Sequence, residues 1–316
     1  MLAGLAEAAD GEHEIVAFAP VSVRARARLE ESLDGIQVER RIISLPPSAH
    51  VWRTVWSRSG LLPVERVAGP LDVFHFSDWM YPRQRGGLRT TTIYDLIPLR
   101  FPDWVHPRTR RMNWQKYKHS AKTCDLIIAI SDFTANDVAE RLGYPRERIT
   151  VARPGVDERF RPEGPRRGGD YILMLAPEEP RKNYATLANA FELVRAAHPD
   201  LELLAPNNVP HDELPTLYRG AAAFAYPSYF EGFGIPILEA MASGTPVLAS
   251  SHPSLDEACG DAAVRASPDS PEELAAGIEL ALKERASLAA RGLEHARRFT
   301  WQASGKAYLH GFSTAL

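Results

Sequence analysis

The sequence predicts an α/β protein with two domains in tandem, each a parallel sheet covered by helices on both faces. Short, mostly apolar runs, such as Ile15–Ala19, Asp125–Ile130, Ala222–Tyr226 and Pro246–Ser250, suit strands buried on both faces. Longer helix-like segments alternate with them, as crossover connections between parallel strands require. The densest proline and glycine punctuation, Arg153-Pro-Gly155 and Arg161–Gly169, marks a boundary near mid-chain.

The chain has 316 residues, 45% hydrophobic and 24% charged, enough for two separate cores. The expected domains are 1–155 and 156–300, followed by a C-terminal helix over 301–316. A net charge of −3 argues against nucleic acid as a bulk partner. Cys124 and Cys259 lie far apart with no metal-ligand spacing, so reduced thiols in a cytoplasmic protein are expected. No apolar run approaches the ~20 residues of a membrane span. The stretch Met1–Ala9 lacks the cationic lead and long apolar core of a secretion signal.

Taken in order, Leu2–Ala9 reads as a helix, Ile15–Ala19 as a strand, Val21–Leu33 as a helix and Val38–Leu45 as a strand. Asp72–Phe76, Thr90–Tyr94 and Asp125–Ile130 are further strands. Helices are expected over Pro107–Lys122 and Asp132–Leu142, the second with Ser131 positioned as its cap. The helix over 107–122 is basic (Arg108, Arg110, Arg111, Lys116, Lys118, Lys122), with His119 and with Trp104 and Trp114 nearby. Such a face is most simply solvated, and it can also rest on anionic lipid at the inner face of a membrane. In the second half, strands Tyr171–Leu175, Leu201–Ala205, Ala222–Tyr226 and Pro246–Ser250 alternate with helices that include His211–Arg219. Pro271–Arg298 reads as helix with a break near Gly292, and Thr300 as the cap of a last helix.

The most informative stretch is Phe224–Ser250, one βαβ unit. Pro227, Gly232 and Gly234 make a loop after a strand, Pro236 suits a first helical turn, and Gly244 suits a helix end. Ligands of open α/β sheets bind at such carboxyl ends, and helix amino ends favour phosphate. Glu231 lies in the loop and Glu239 lies eight residues on, within the helix. Carboxylates there would repel phosphate, whereas they suit sugar hydroxyls as hydrogen-bond acceptors. Gly232 and Gly234 let backbone approach a ligand closely. Taken singly, Glu239 could simply complement the helix dipole and the glycines simply turn the chain.

The whole string Glu-Gly-Phe-Gly-x-Pro-x-x-Glu-Ala-Met-Ala-x-Gly-x-Pro-Val resembles the glutamate–seven–glutamate signature of retaining glycosyltransferases of group 1, family 4. Ile130-Ser-Asp-Phe-Thr and Arg153-Pro-Gly-Val-Asp157 also match, and the matches run from about Thr92 to Trp301. The resemblance implies the GT-B architecture, two Rossmann-like domains facing a cleft, nearest to a mannosyltransferase branch. It implies a nucleotide-diphosphate sugar donor, GDP- or UDP-linked, a glycan or lipid-linked acceptor, and neither metal nor separate cofactor. In Glu178-Glu-Pro-Arg-Lys-Asn-Tyr184 it assigns Lys182 and Arg181 to the leaving diphosphate. Glu231 would then hold the sugar and Glu239 the ribose, with Gly232, Phe233 and Gly234 lining the donor.

Ile93–Leu99 matches a family turn that faces the donor, with Tyr94 and Asp95 as binding residues. Relatives carry histidine where this chain has Tyr94, which cannot take up a proton near neutral pH. Many carry arginine where it has Ala176, so one diphosphate contact is expected to be lost. By the same resemblance, a first strand and its glycine loop are not found ahead of Leu2. A further helix and strand are not found between Pro206 and Asn207. The sheets are therefore expected to lack these pieces, with weak transfer and donor binding partly kept. A relative that binds without turnover is the alternative; epimerase or phosphorylase signatures are not visible.

Overall fold

The structure, a computed structural model, describes residues 1–45, 49–59, 62–77 and 80–316. The chain forms two compact units. The first comprises 1–99, 106–153 and 301–316, and the second 100–105 and 154–300.

In the first unit the order is α1 (Leu2–Ala9), β1 (Val16–Ser22), α2 (Val23–Ser32), β2 (Glu39–Leu45), α3 (Ala49–Ser59), α4 (Glu65–Ala68), β3 (Val73–Phe76), β4 (Leu88–Ile93), α5 (Ile97–Arg100), α6 (Pro107–Thr123), β5 (Leu126–Ala129), α7 (Asp132–Leu142) and β6 (Ile149–Val151). Strands β3, β4, β5 and β6 form a parallel sheet in that order, and β1 pairs with β2 in a separate two-stranded parallel sheet. Every residue of β4 is buried, and its threonine run suits such a strand because each hydroxyl is paired. Thr91 donates to the Phe76 carbonyl, and His75 lies between Thr90 and Thr92, at 2.8 and 3.0 Å.

In the second unit the order is β7 (Asp170–Leu173), α8 (Tyr184–Arg195), β8 (Leu201–Leu204), α9 (Leu214–Gly220), β9 (Ala223–Tyr226), α10 (Ile235–Ala242), β10 (Val247–Ser250), α11 (Asp256–Cys259), β11 (Val264–Ala266), α12 (Pro271–Lys283) and α13 (Arg285–Ala296). All five strands are parallel, in the order β11-β10-β9-β7-β8. Ala223 and Ala225 of β9 face a core built with Leu187, Phe191, Leu274 and Ile278 of α8 and α12. Alternation sends Phe224 and Tyr226 to the opposite face. There Phe224 meets Tyr218 of α9 edge-on, with ring centroids 5.2 Å apart.

The last helix, α14 (Trp301–Ala315), belongs to the first unit. Tyr308 and Phe312 cover Leu88, Leu126 and Ile128 on one face of its sheet, and the Tyr308 hydroxyl lies 2.7 Å from Thr92 Oγ1. Its backbone lies directly against α1, since a Cβ at Gly305 would collide with the Gly4 carbonyl.

Several boundaries differ from the sequence expectation. α2 starts at Val23 because β1 continues to Ser22, which pairs with Leu45 and caps the helix. α3, α4, α5, β6 and β11 are too short or too irregular in pattern to have been read. The break in the 271–298 segment falls at Glu284. Gly292 instead sits inside α13, where a Cβ would press on Met241 of α10 at 3.0 Å. It is a close-packing glycine, not a helix breaker.

Candidate functional site

The carboxyl ends of β7 and β9 are adjacent in the second sheet. From β7 the chain moves outward to β8, and then crosses back to β9 on the other side. The order therefore reverses between β7 and β9, which opens a crevice between the loops that follow them. After β7 comes the 3-10 turn Pro180–Lys182, and after β9 the loop 227–234. The Tyr229 amide donates to the Arg181 carbonyl at 2.9 Å, which joins the two loops directly.

Three of the expected residues meet there. Lys182, 6% exposed, donates from Nζ to Glu231 Oε1 at 2.8 Å and to the Tyr226 hydroxyl at 2.6 Å. The Arg181 guanidinium abuts the same carboxylate oxygen, as an ion contact rather than an aligned hydrogen bond, and pairs with Glu179 at 2.6 Å. Burial pushes the Glu231 carboxyl up, but the Lys182 and Arg181 charges outweigh it and hold the group below its ordinary value. Glu231 is thus an ionised acceptor.

Backbone geometry holds this cluster. Asn183 adopts φ 63, and its amide donates to the carbonyls of Pro227 at 3.2 Å and Pro268 at 2.6 Å. The Glu231 amide donates to Ser254 Oγ at 3.1 Å. Gly234, at φ 105, precedes α10, and a Cβ there would meet Leu255 at 2.9 Å. Only glycine satisfies both conditions. Phe233 is a core residue whose ring packs 5.7 Å from that of Phe299. On its outer side the loop is braced by residues 100–105: the Phe101 ring lies 5.3 Å from that of Phe230, with Arg100 over the same ring.

Glu239 lies in the second turn of α10 and is 9% exposed. The buried Tyr218 hydroxyl donates to its Oε2 at 3.1 Å. Burial raises the carboxyl to about 7, and the Tyr218 bond only partly offsets this. Two carboxylates of one motif are therefore driven in opposite directions by their surroundings. Ala176 adopts φ 54 in the turn after β7, a left-handed conformation that costs a non-glycine residue about 1 kcal/mol.

Tyr94 and Asp95 lie in the first unit at the carboxyl end of β4. Tyr94 is half-exposed, and Asp95 Oδ1 accepts from the Ile97 amide at 2.9 Å, the local turn bond its residue type favours. Ser131 caps α7 through the Thr134 amide at 2.9 Å. Two residues of the expected basic surface point elsewhere. Lys116 is buried and donates to the carbonyls of Ser77 and Thr92 at 2.9 and 3.0 Å, tying α6 to the ends of β3 and β4. Trp104 belongs to the second unit and stacks on Phe101 at 4.1 Å. Arg108, Arg110, Arg111, Lys118 and Lys122 remain exposed, with Lys118 over the Trp114 ring at 4.5 Å. Among the described residues no helix is long and apolar enough to cross a membrane.

Tyr226 and Tyr218, the hydroxyl partners of Lys182 and Glu239, were not singled out from the sequence. For Tyr226 a signal exists: the period-2 alternation of β9 places it on the face of Phe224, at the strand end that meets the loop. Tyr218 lies in a separate helix, and nothing local links it to Glu239.

Two parallel α/β units with cations and carboxylates at a sheet switch point are the architecture of GT-B sugar-transfer proteins. A glycosyltransferase from Rickettsia africae superposes with a TM-score of 0.66 at 14% identity, over 99% of this chain and 94% of its own. The Anabaena HepE structure in complex with UDP-glucose superposes with a TM-score of 0.66 at 14% identity, over 96% and 100%. The family model "Glycosyltransferase Family 4" matches residues 2–160, and "Glycosyl transferases group 1" matches residues 202–300. The O-antigen chain mannosyltransferase B of Escherichia coli is 30% identical over 271 residues, 73% of this chain and 71% of that protein. The O-antigen chain mannosyltransferase RfbU of Salmonella typhimurium is 27% identical over 60% of each chain. The chain belongs to the group 1, family 4 glycosyltransferases.

Proposed function

We propose that this glycosyltransferase moves mannose or a similar hexose, with retention, from a nucleotide-diphosphate sugar to a glycan or lipid-linked acceptor. The observation that carries the reading is the Lys182–Glu231–Arg181 cluster, buried at the switch point where a phosphate-bearing ligand is expected. The mannosyltransferase relatives support the choice of sugar, and the UDP-glucose complex of a structural neighbour supports a nucleotide-linked donor.

Lys182 and Arg181 stabilise the charge that develops on the departing diphosphate. Glu231, kept ionised by those cations, accepts hydrogen bonds from sugar hydroxyls. Glu239, steadied by Tyr218, accepts from the ribose. The bond from the anomeric carbon to the β-phosphate oxygen breaks, and the acceptor oxygen bonds to the same face of that carbon. The acceptor proton leaves with the departing phosphate oxygen, so no protein nucleophile takes part. Tyr94 and Asp95 are proposed as further donor-binding residues, and no metal or cofactor is assigned.

The test is to incubate the purified chain with GDP-mannose, UDP-glucose and related donors and a panel of glycan acceptors. An α-linked product from an α-linked donor, read by the one-bond coupling between the anomeric carbon and its proton, is expected. A β-linked product overturns retention, and absence of transfer with every donor overturns the transferase reading. The second reading, binding without turnover, is favoured by Ala176 and Tyr94, which stand where relatives carry arginine and histidine. It predicts nucleoside diphosphate binding with no product.

A further inference from the structure

We propose that the first unit carries a second anion site, for a phosphate monoester, at the amino end of β4. A cavity of about 430 Å³ opens there, lined in part by Tyr81, Arg83, Arg85, Arg89, His119 and Asp125. Its volume suits a small phosphorylated polyol or a lipid phosphate headgroup.

Arg89 is the central group. It enters from a fully buried strand and is itself 8% exposed. NH1 donates to the Pro82 carbonyl at 2.9 Å, and NH2 lies 3.2 Å from His119 Nε2. Its Nε is buried without a hydrogen-bond partner. Among the described residues no carboxylate pairs with this guanidinium. Asp125, the one acid of the lining named here, accepts from the Arg89 backbone amide at 2.9 Å and faces Arg148 at 3.9 Å. Asp125 and Glu65 act on this guanidinium only from beyond ion-pair contact, and a buried cation with an idle donor is unfavourable unless an anion completes it.

The rest of the lining agrees. Arg83 and Arg85 are exposed, and neither is ion-paired among the described residues. His119 accepts from Arg89, so its ring is neutral; burial and the Arg89 charge lower it to about 4. Tyr81 stacks on His119 at 4.2 Å and forms an apolar wall. Three arginines thus stand against two carboxylates, Asp125 and Glu65, each already accepting from backbone amides, and guanidinium groups match phosphate oxygens in forked pairs. Tyr94 and Asp95 lie at the opposite end of β4, roughly 16 Å along the strand. Lys182, Arg181, Glu231 and Glu239 are not among the residues that line this cavity.

The shared chemistry is a phosphate monoester, free or lipid-borne. The full chain is titrated with glycerol 3-phosphate by calorimetry, and sedimented with phosphatidylcholine vesicles containing phosphatidic acid or, as a diester control, phosphatidylglycerol. R83Q/R85Q changes only exposed side chains, and K182A tests leakage from the donor site. For a free ligand, glycerol 3-phosphate binds and weakens at least about tenfold in R83Q/R85Q, while K182A leaves it unchanged. For a lipid-borne ligand, phosphatidic acid vesicles bind in preference to phosphatidylglycerol ones and R83Q/R85Q abolishes the preference. The proposal is overturned if glycerol 3-phosphate does not bind and the two vesicle types bind equally, if R83Q/R85Q binds like wild type, or if K182A removes binding. These outcomes are independent of whether transfer activity is found.

Discussion

Lys182 Nζ donates to Glu231 Oε1 across 2.8 Å, although the residues stand 49 positions apart in different βα loops. The pair forms because β7 and β9 are neighbours in the sheet, and burial gives each charge no better partner. Removing the cation should therefore affect both ligand affinity and the carboxylate. In Lys182→Ala, affinity for GDP or UDP is expected to fall at least about tenfold with a native circular dichroism spectrum. Unchanged nucleoside diphosphate binding by calorimetry would remove Lys182 from the site.

Glu239 yields a pH prediction with a definite sign. Its folded value is raised from 4.5 to about 7, chiefly by burial. The folded state holds the proton more tightly than the unfolded state does. The resulting stability is complete below about 4.5 and is lost as pH rises through about 7. Glu239→Gln has no such proton to lose. Its unfolding free energy should gain on that of wild type between about pH 5 and about pH 8, by an amount on the order of 2–3 kcal/mol, read as a rise in relative melting temperature. Parallel curves for the two proteins would show that Glu239 titrates normally.

Tyr218→Phe deletes the hydroxyl that holds Glu239 and keeps the ring against Phe224. If Glu239 receives the ribose, KM for the donor should rise about three- to thirtyfold while kcat changes little. The apparent pKa in the donor-binding profile should move upward, since a bond that favours the ionised carboxylate is lost. A purely structural tyrosine would lower the melting temperature and leave that profile in place.

Glu231→Gln keeps shape but removes the charge that Lys182 and Arg181 neutralise. Turnover should drop by about ten- to a thousandfold, more than donor affinity does. Near-normal kcat in this variant would leave the loop a purely structural element.

Packing of α14 onto α1 is testable through Gly305. A side chain there meets the Gly4 carbonyl, which is backbone and cannot swing aside. Gly305→Val should destabilise the first unit by about 2–4 kcal/mol, whereas Gly168→Val, where a Cβ meets nothing within 4 Å, should be close to neutral. Equal melting temperatures for both would mean that the helices separate without penalty.

Much of this protein is written locally in its sequence. Apolar runs of strand length, helical stretches between them and glycine- or proline-bearing loops are determined within a few residues, so the α/β class and the β9–loop–α10 unit were legible. Glu231, Glu239, Arg181 and Lys182 could be named because each stands in a loop or first turns with a local pattern. What lies across space was not legible. Which strand pairs with which, and hence that Lys182 meets Glu231 and Tyr226, depends on chain crossovers. That Lys116 turns inward while Lys118 stays in solvent was equally hidden, because a long amphipathic side chain follows the carbonyls within reach. Trp104 stands near the basic helix in sequence but belongs to the other unit, where it stacks on Phe101, and Gly292 looked like a break but is a packing contact. Periodicity specifies which face of an element is apolar; only the assembled sheets decide what that face, and each buried charge, finds opposite it.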